Sequence, residues 1–120
     1  MSKGADIRER AFEFAVRIIE LVDVLVTRGM SASVLSAQLL RSSSSIGANL
    51  EEADAGQSRA DFISKCGISL KEARESHYWL RLLAATRKIT SHDRAEELIA
   101  ECNEIVAILT TIVRKSRARA

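Results

Sequence analysis

Apolar positions recur along this chain at alternating spacings of four and three, the repeat that lines one face of an α-helix. From about residue 6 to 28, Ile7, Ala11, Phe14, Ile18, Leu21 and Leu25 form such a seam. Phe12, Ile19, Val22 and Val26 form a second apolar set on the same segment, so this helix has two surfaces to bury. Gly29 marks its end, because glycine readily enters the left-handed conformation that closes helices. A second helix is expected over about 33–55, capped by Ser31 or Ser33, with Val34, Leu35, Leu39, Ile46 and Leu50 on its apolar face. Its centre, Ser42 to Gly47, is a weak helix former, which predicts a bent helix whose small side chains admit a close neighbour. A third helix spans about 58–88. Ser58 with Asp61 opens it like a capping box, and Phe62, Cys66, Ser69, Ala73, Leu80 and Leu83 carry its seam. Ser69, Ala73 and Ser76 predict tight contact along its first half. The fourth helix, about 91–115, is opened by Thr90 with Asp93, which repeat the capping pattern. Leu98, Cys102, Ile105, Leu109 and Ile112 form one stripe on it, and Ile99, Val106 and Val113 form another.

Four helices on short connections predict an all-α, antiparallel, up-down four-helix bundle, with residues 1–120 forming a single domain. A bundle that stands alone buries one face per helix. The surplus stripes on the first and last helices therefore predict self-association, with Phe12, Ile19, Val26, Ile99, Val106 and Val113 as the subunit contacts.

Composition agrees with this reading. The chain has no proline, five glycines and 4% aromatic residues, whereas a β-rich domain of this size would need many turns. A net charge of +2 excludes a strongly basic protein taken as a whole, but the distribution is uneven. After Glu104 no acidic residue follows, and Arg114, Lys115, Arg117 and Arg119 make a basic tail. Those cations suit the phosphates of a polyanion such as RNA; equally, they suit a helix C-terminus, where the backbone dipole favours positive charge. No aromatic residue accompanies them for base stacking. Cys66 and Cys102 lie far apart within apolar patterns and read as reduced core residues. With no secretory leader pattern and no long apolar run, the expected location is cytoplasmic, with no membrane partner.

The chemistry-bearing residues do not gather into a catalytic set. A di-metal bundle site needs glutamates three residues before its histidines, whereas position 74 before His77 is Arg and position 89 before His92 is Ile. Glu51, Glu52 and Asp54 read as a solvated acidic turn, and no glycine-rich phosphate loop or nucleophile elbow is present. Catalytic residues, metal ligands, cofactors and small-molecule substrates are accordingly expected to be none, and the protein is expected not to be an enzyme. Glu72 and Glu75 are expected to pair with Arg74 and Arg81 along or between helices.

The central block adds a resemblance. Gln38-Leu39-Leu40-Arg41-Ser42, then Ser45 to Glu52 with Asn49 and Glu52, then Ser58, Asp61-Phe62, Ser69 to Ala73 with Glu72, and Tyr78-Trp79-Leu80-Arg81-Leu82-Leu83 are similar to the four-helix bundle proteins encoded in intervening sequences of bacterial 23S ribosomal RNA genes. The resemblance covers most of the second and third helices. It differs at Gly47, where proline is usual, at Ala53, where glycine is usual, and at Gly56, where arginine is frequent. It implies a ring-like homopentamer with no established enzymatic activity. It also implies kinship with the accessory variability protein of diversity-generating retroelements, a basic pentamer that binds nucleic acid and a reverse transcriptase. The function expected is a non-enzymatic oligomeric adaptor for RNA or an RNA-bound protein. The alternative is a structural or protein-binding scaffold indifferent to nucleic acid.

Overall fold

The computed structural model describes residues 3–56 and 58–119, with side chains from Ile7 onward. It contains four helices: α1 (Lys3–Leu25), α2 (Met30–Ala55), α3 (Arg59–Ala85) and α4 (His92–Ala118). No strand occurs among the described residues. The helices run up and down into a rod of 46 × 22 × 21 Å. Each packs on the next in the chain; α2 and α3 meet over the broadest interface, and α1 touches α4 least.

The bounds differ from the expected ones where backbone bonds override side-chain signals. Gly29, at φ 107, lets α2 begin at Met30, ahead of either serine proposed as its cap. The α4 cap is Ser91, whose hydroxyl accepts from the Arg94 amide at 3.2 Å, and Thr90 lies outside it. Ser58 caps α3 by accepting from the Asp61 amide at 3.0 Å. That helix stops at Ala85 because Arg87 turns left-handed, at φ 59. The Arg87 amide then donates to the Ala84 carbonyl and the Lys88 amide to the Leu83 carbonyl, the paired closure of a Schellman turn.

Each helix sends one seam inward. From α1 come Ile7, Ala11, Phe14, Ile18, Leu21 and Leu25, and from α4 come Leu98, Cys102, Ile105 and Leu109, all buried. Burying each large side chain contributes about 1.5–3 kcal/mol, which makes these two helices the main hydrophobic mass of the core. Two residues expected on second stripes belong to the core instead: Val22 and Val113 are buried. For Val113 the reason is periodicity. A straight helix turns every 3.6 residues, so the step after Leu109 is four, which turns Val113 inward and leaves Ile112 half-buried. Val34, expected on the inner face of α2, is 57% exposed.

The seam of α2 reads Ala32, Ser36, Leu39, Ser43, Ile46, Leu50 and Ala53, and that of α3 includes Cys66, Ser69, Ala73, Ser76, Leu80 and Leu83. Here serines occupy core positions, and α2 passes unbroken through its serine run. Their hydroxyls find acceptors in the backbone. Ser69 donates to the Ile46 carbonyl across the interface at 2.8 Å, Ser36 donates to the Ser33 carbonyl of its own helix at 3.0 Å, and Ser42 and Ser76 share a hydrogen bond of 2.8 Å. No buried polar side-chain atom among the described residues lacks a partner.

Candidate interaction surfaces

Along α2, Gln38, Arg41, Ser45, Asn49 and Glu52 follow one another at steps of three and four, so they share a face. The Arg41 end of that face meets α3. The Arg41 guanidinium donates to Glu72 at 2.9 Å and to Glu75, and its Nε donates to Gln38. The Trp79 indole N–H donates to Glu75 at 3.1 Å, and Asn49 donates to the Ser45 carbonyl. Glu72 is nearly buried, which explains why it needs a cation and not only water. The carboxylates of α3 thus engage α2, where local spacing pointed to Arg74 and Arg81; among the described residues neither arginine forms an ion pair. Phe62 stands apart from this cluster, half-buried beside Ile7, Leu50, Ala53 and Cys66. Glu52 is exposed.

On α1 the second stripe remains open. Phe12 is 66% and Ile19 46% exposed, Val16 joins them at helical spacing, and Val26, one residue past the helix end, is 47% exposed. Arg8, Glu9, Glu13 and Glu51 line a hollow around Phe12, so the apolar stripe has a charged rim. Arg8 ties this side to α2 through Asp54 at 3.1 Å. On α4 the outcome differs, because Ile99 and Val106 are half-buried against the core. Of the first and last helices, it is α1 that keeps surplus apolar surface. The α1–α4 boundary is bridged by charge, Arg10 to Glu101 at 2.7 Å and Arg17 to Glu97 at 3.7 Å.

Arg114, Lys115, Arg117 and Arg119 are all exposed at the end of α4. They lie beside the start of α3. Arg59 donates to the Ser116 carbonyl, and an Arg117 nitrogen sits 3.8 Å from where a side chain on Gly67 would begin. The cations therefore extend onto a second helix, through Arg59, which the sequence pattern did not single out.

Comparison with known proteins places this geometry in a family. The family model described as "23S rRNA-intervening sequence protein" matches residues 3–111. The chain belongs to this family. A solved structure agrees: a protein of unknown function from the S23 ribosomal protein family of Bacteroides thetaiotaomicron is 43% identical. It matches over 94% of this chain and 99% of its own length, with a TM-score of 0.86. A search of curated proteins found no match.

The four residues of the family-like block that converge in space, Gln38, Arg41, Glu72 and Trp79, clamp α2 to α3. Their arrangement accounts for the block as a helix-pairing device in this family member. Burial shifts three ionisable groups, two thiols and one imidazole. Cys102 is pushed up to about 12 by burial and then by Glu101, and burial also raises Cys66, so both thiols stay protonated and unreactive. Burial, and then Arg81, hold His77 below its ordinary value. Among the described residues no group of three or more His, Cys, Asp or Glu is placed to hold a metal ion, and no helix is long and apolar enough to cross a membrane.

Proposed function

We propose that this protein is a non-enzymatic, self-assembling helical adaptor that binds RNA through its cationic side. The observation that carries the reading is a separation of surfaces. The open apolar stripe of α1 lies on the side tied to α2 by Arg8, while the α4 cations lie against α3. Copies can therefore meet through Phe12, Val16, Ile19 and Val26 while their basic ends stay free, and assembly multiplies the charge offered to one polyanion. The family resemblance supports a ring of five as the assembly. The two buried free thiols suit a reducing compartment, so we place the protein in the cytoplasm.

Two measurements test the reading. Light scattering should give a mass several times that of one chain, and Ile19→Lys should reduce it to a single chain without unfolding the bundle. Affinity for structured RNA should fall steeply with salt. Replacing Arg114, Lys115, Arg117 and Arg119 by Gln should flatten that slope by roughly 0.7–0.9 for each phosphate no longer neutralised. If no RNA is bound at low salt, the RNA role is wrong and the oligomeric scaffold reading takes its place. In that reading the tail cations serve only the α4 C-terminus.

A further inference from the structure

On the outer side of α3, Gly67, Lys71, Arg74, Tyr78 and Arg81 follow at steps of four, three, four and three, which places them on one stripe of the helix. The last four are exposed. The stripe contains no acid, because Glu72 and Glu75 are drawn to the α2 side by Arg41. At its lower end the Arg117 guanidinium passes beside Gly67, so the stripe continues into the basic end of α4. At its upper end the Arg81 guanidinium lies 5.6 Å over the Tyr78 ring, and Tyr78 meets Trp79 edge-on at 5.2 Å. Even so, Tyr78 keeps 47% of its surface accessible. An aromatic ring therefore does accompany the cations. It comes from a different helix, which is why none stands near the tail in the linear sequence.

We infer that this stripe is a binding track for an unpaired nucleic-acid strand, with Tyr78 stacking on a base while Lys71, Arg74 and the α4 cations hold the backbone. This rests on the RNA reading above and sharpens it, because cations alone do not distinguish a duplex from a single strand, whereas a stacking ring requires a base freed from its pair. From Gly67 to Arg81 the helix rises about 21 Å, which matches roughly six nucleotides of a stacked strand. Arg81 suits the same role, since a guanidinium beside an aromatic ring adds a cation–π contact and a flat donor surface.

The test uses end-labelled oligoribonucleotides, one single-stranded and one a base-paired hairpin of equal length, titrated with the full chain and followed by anisotropy. Trp79, the single tryptophan, gives a second readout because it touches Tyr78. The expected result is tighter binding of the single strand, with quenching of Trp79 fluorescence. Tyr78→Ala should weaken the single strand by about 5- to 150-fold, Tyr78→Phe should restore it, and neither should change hairpin binding. An unchanged thermal midpoint shows that the variants fold. Equal affinity for both oligonucleotides, or single-strand binding that survives Tyr78→Ala, overturns the stacking track. If such binding still disappears when the tail cations are neutralised, the polyanion reading stands without it. No binding of either oligonucleotide at low salt overturns both.

Discussion

The two halves of the bundle are built on opposite principles. Between α2 and α3 the seam is made of Ser36, Ser42, Ser43, Ser69, Ala73 and Ser76, all buried, and these helices share the broadest interface in the fold. Helices α1 and α4 bring Ile7, Phe14, Ile18, Leu25, Leu98, Ile105 and Leu109, yet they touch each other least. Small side chains let backbones approach and let hydroxyls reach carbonyls, as Ser69 does to Ile46. Large ones hold helices apart and supply apolar area instead. One pair provides geometry and the other provides hydrophobic mass, and a polar clamp of Arg41, Glu72, Glu75 and Trp79 fixes the register of the first.

The sharpest way to break this contrast is to reverse the size rule on each side. Phe14→Ala should cost about 3–5 kcal/mol in a denaturant titration, because the cavity forms where the apolar mass is concentrated. Ala73→Leu should cost about 1–3 kcal/mol although it adds apolar area, because the α2–α3 seam has no room for it. A neutral or stabilising Ala73→Leu would show that the seam is loosely filled.

A smaller effect tests the clamp. Arg41→Met should cost about 1–2 kcal/mol by leaving Glu72 nearly buried without its cation, a figure kept low because Arg41 itself is half-exposed. In a double-mutant cycle, adding Glu72→Met should recover part of that stability. Additive costs would mean that the two side chains are not coupled.

The smallest effect concerns acid. Burial, and then Arg81, hold the His77 pKa below its ordinary value in the folded protein, whereas the unfolded chain takes up a proton as pH falls through 6.5. Stability should therefore decline on acidification below that value, and His77→Gln should make the decline shallower. Thermal midpoints across about pH 5–7.5 measure it.

The periodic elements were legible in the sequence because large apolar residues mark them plainly. The α1 seam from Ile7 to Leu25 and the Ser58 cap of α3 stand where the spacing placed them. Failures occurred where one residue type serves two ends. Serines in α2 read as helix-weakening, although their hydroxyls bond carbonyls one turn back in the same helix and Ser42 also reaches Ser76 on α3. Val113 and Ile112 exchanged places because one extra step in the repeat rotates the face. The pairing of Glu72 and Glu75 with Arg41 was hidden because the partners are more than thirty positions apart, and local spacing favoured Arg74 and Arg81. That the tail cations reach the stripe of Tyr78 was hidden for the same reason, since Arg117 and Gly67 stand far apart in the chain.

The two core thiols make the protein its own clock. Cys66 on α3 and Cys102 on α4 are sealed, and Cys102 is held far from ionisation. A maleimide or disulfide reagent can therefore reach either sulfur only during a transient opening of its helix. Labelling rates at the two sites, read separately by mass spectrometry, would time the breathing of α3 against that of α4. A nucleic acid lying across the boundary between these helices should slow both.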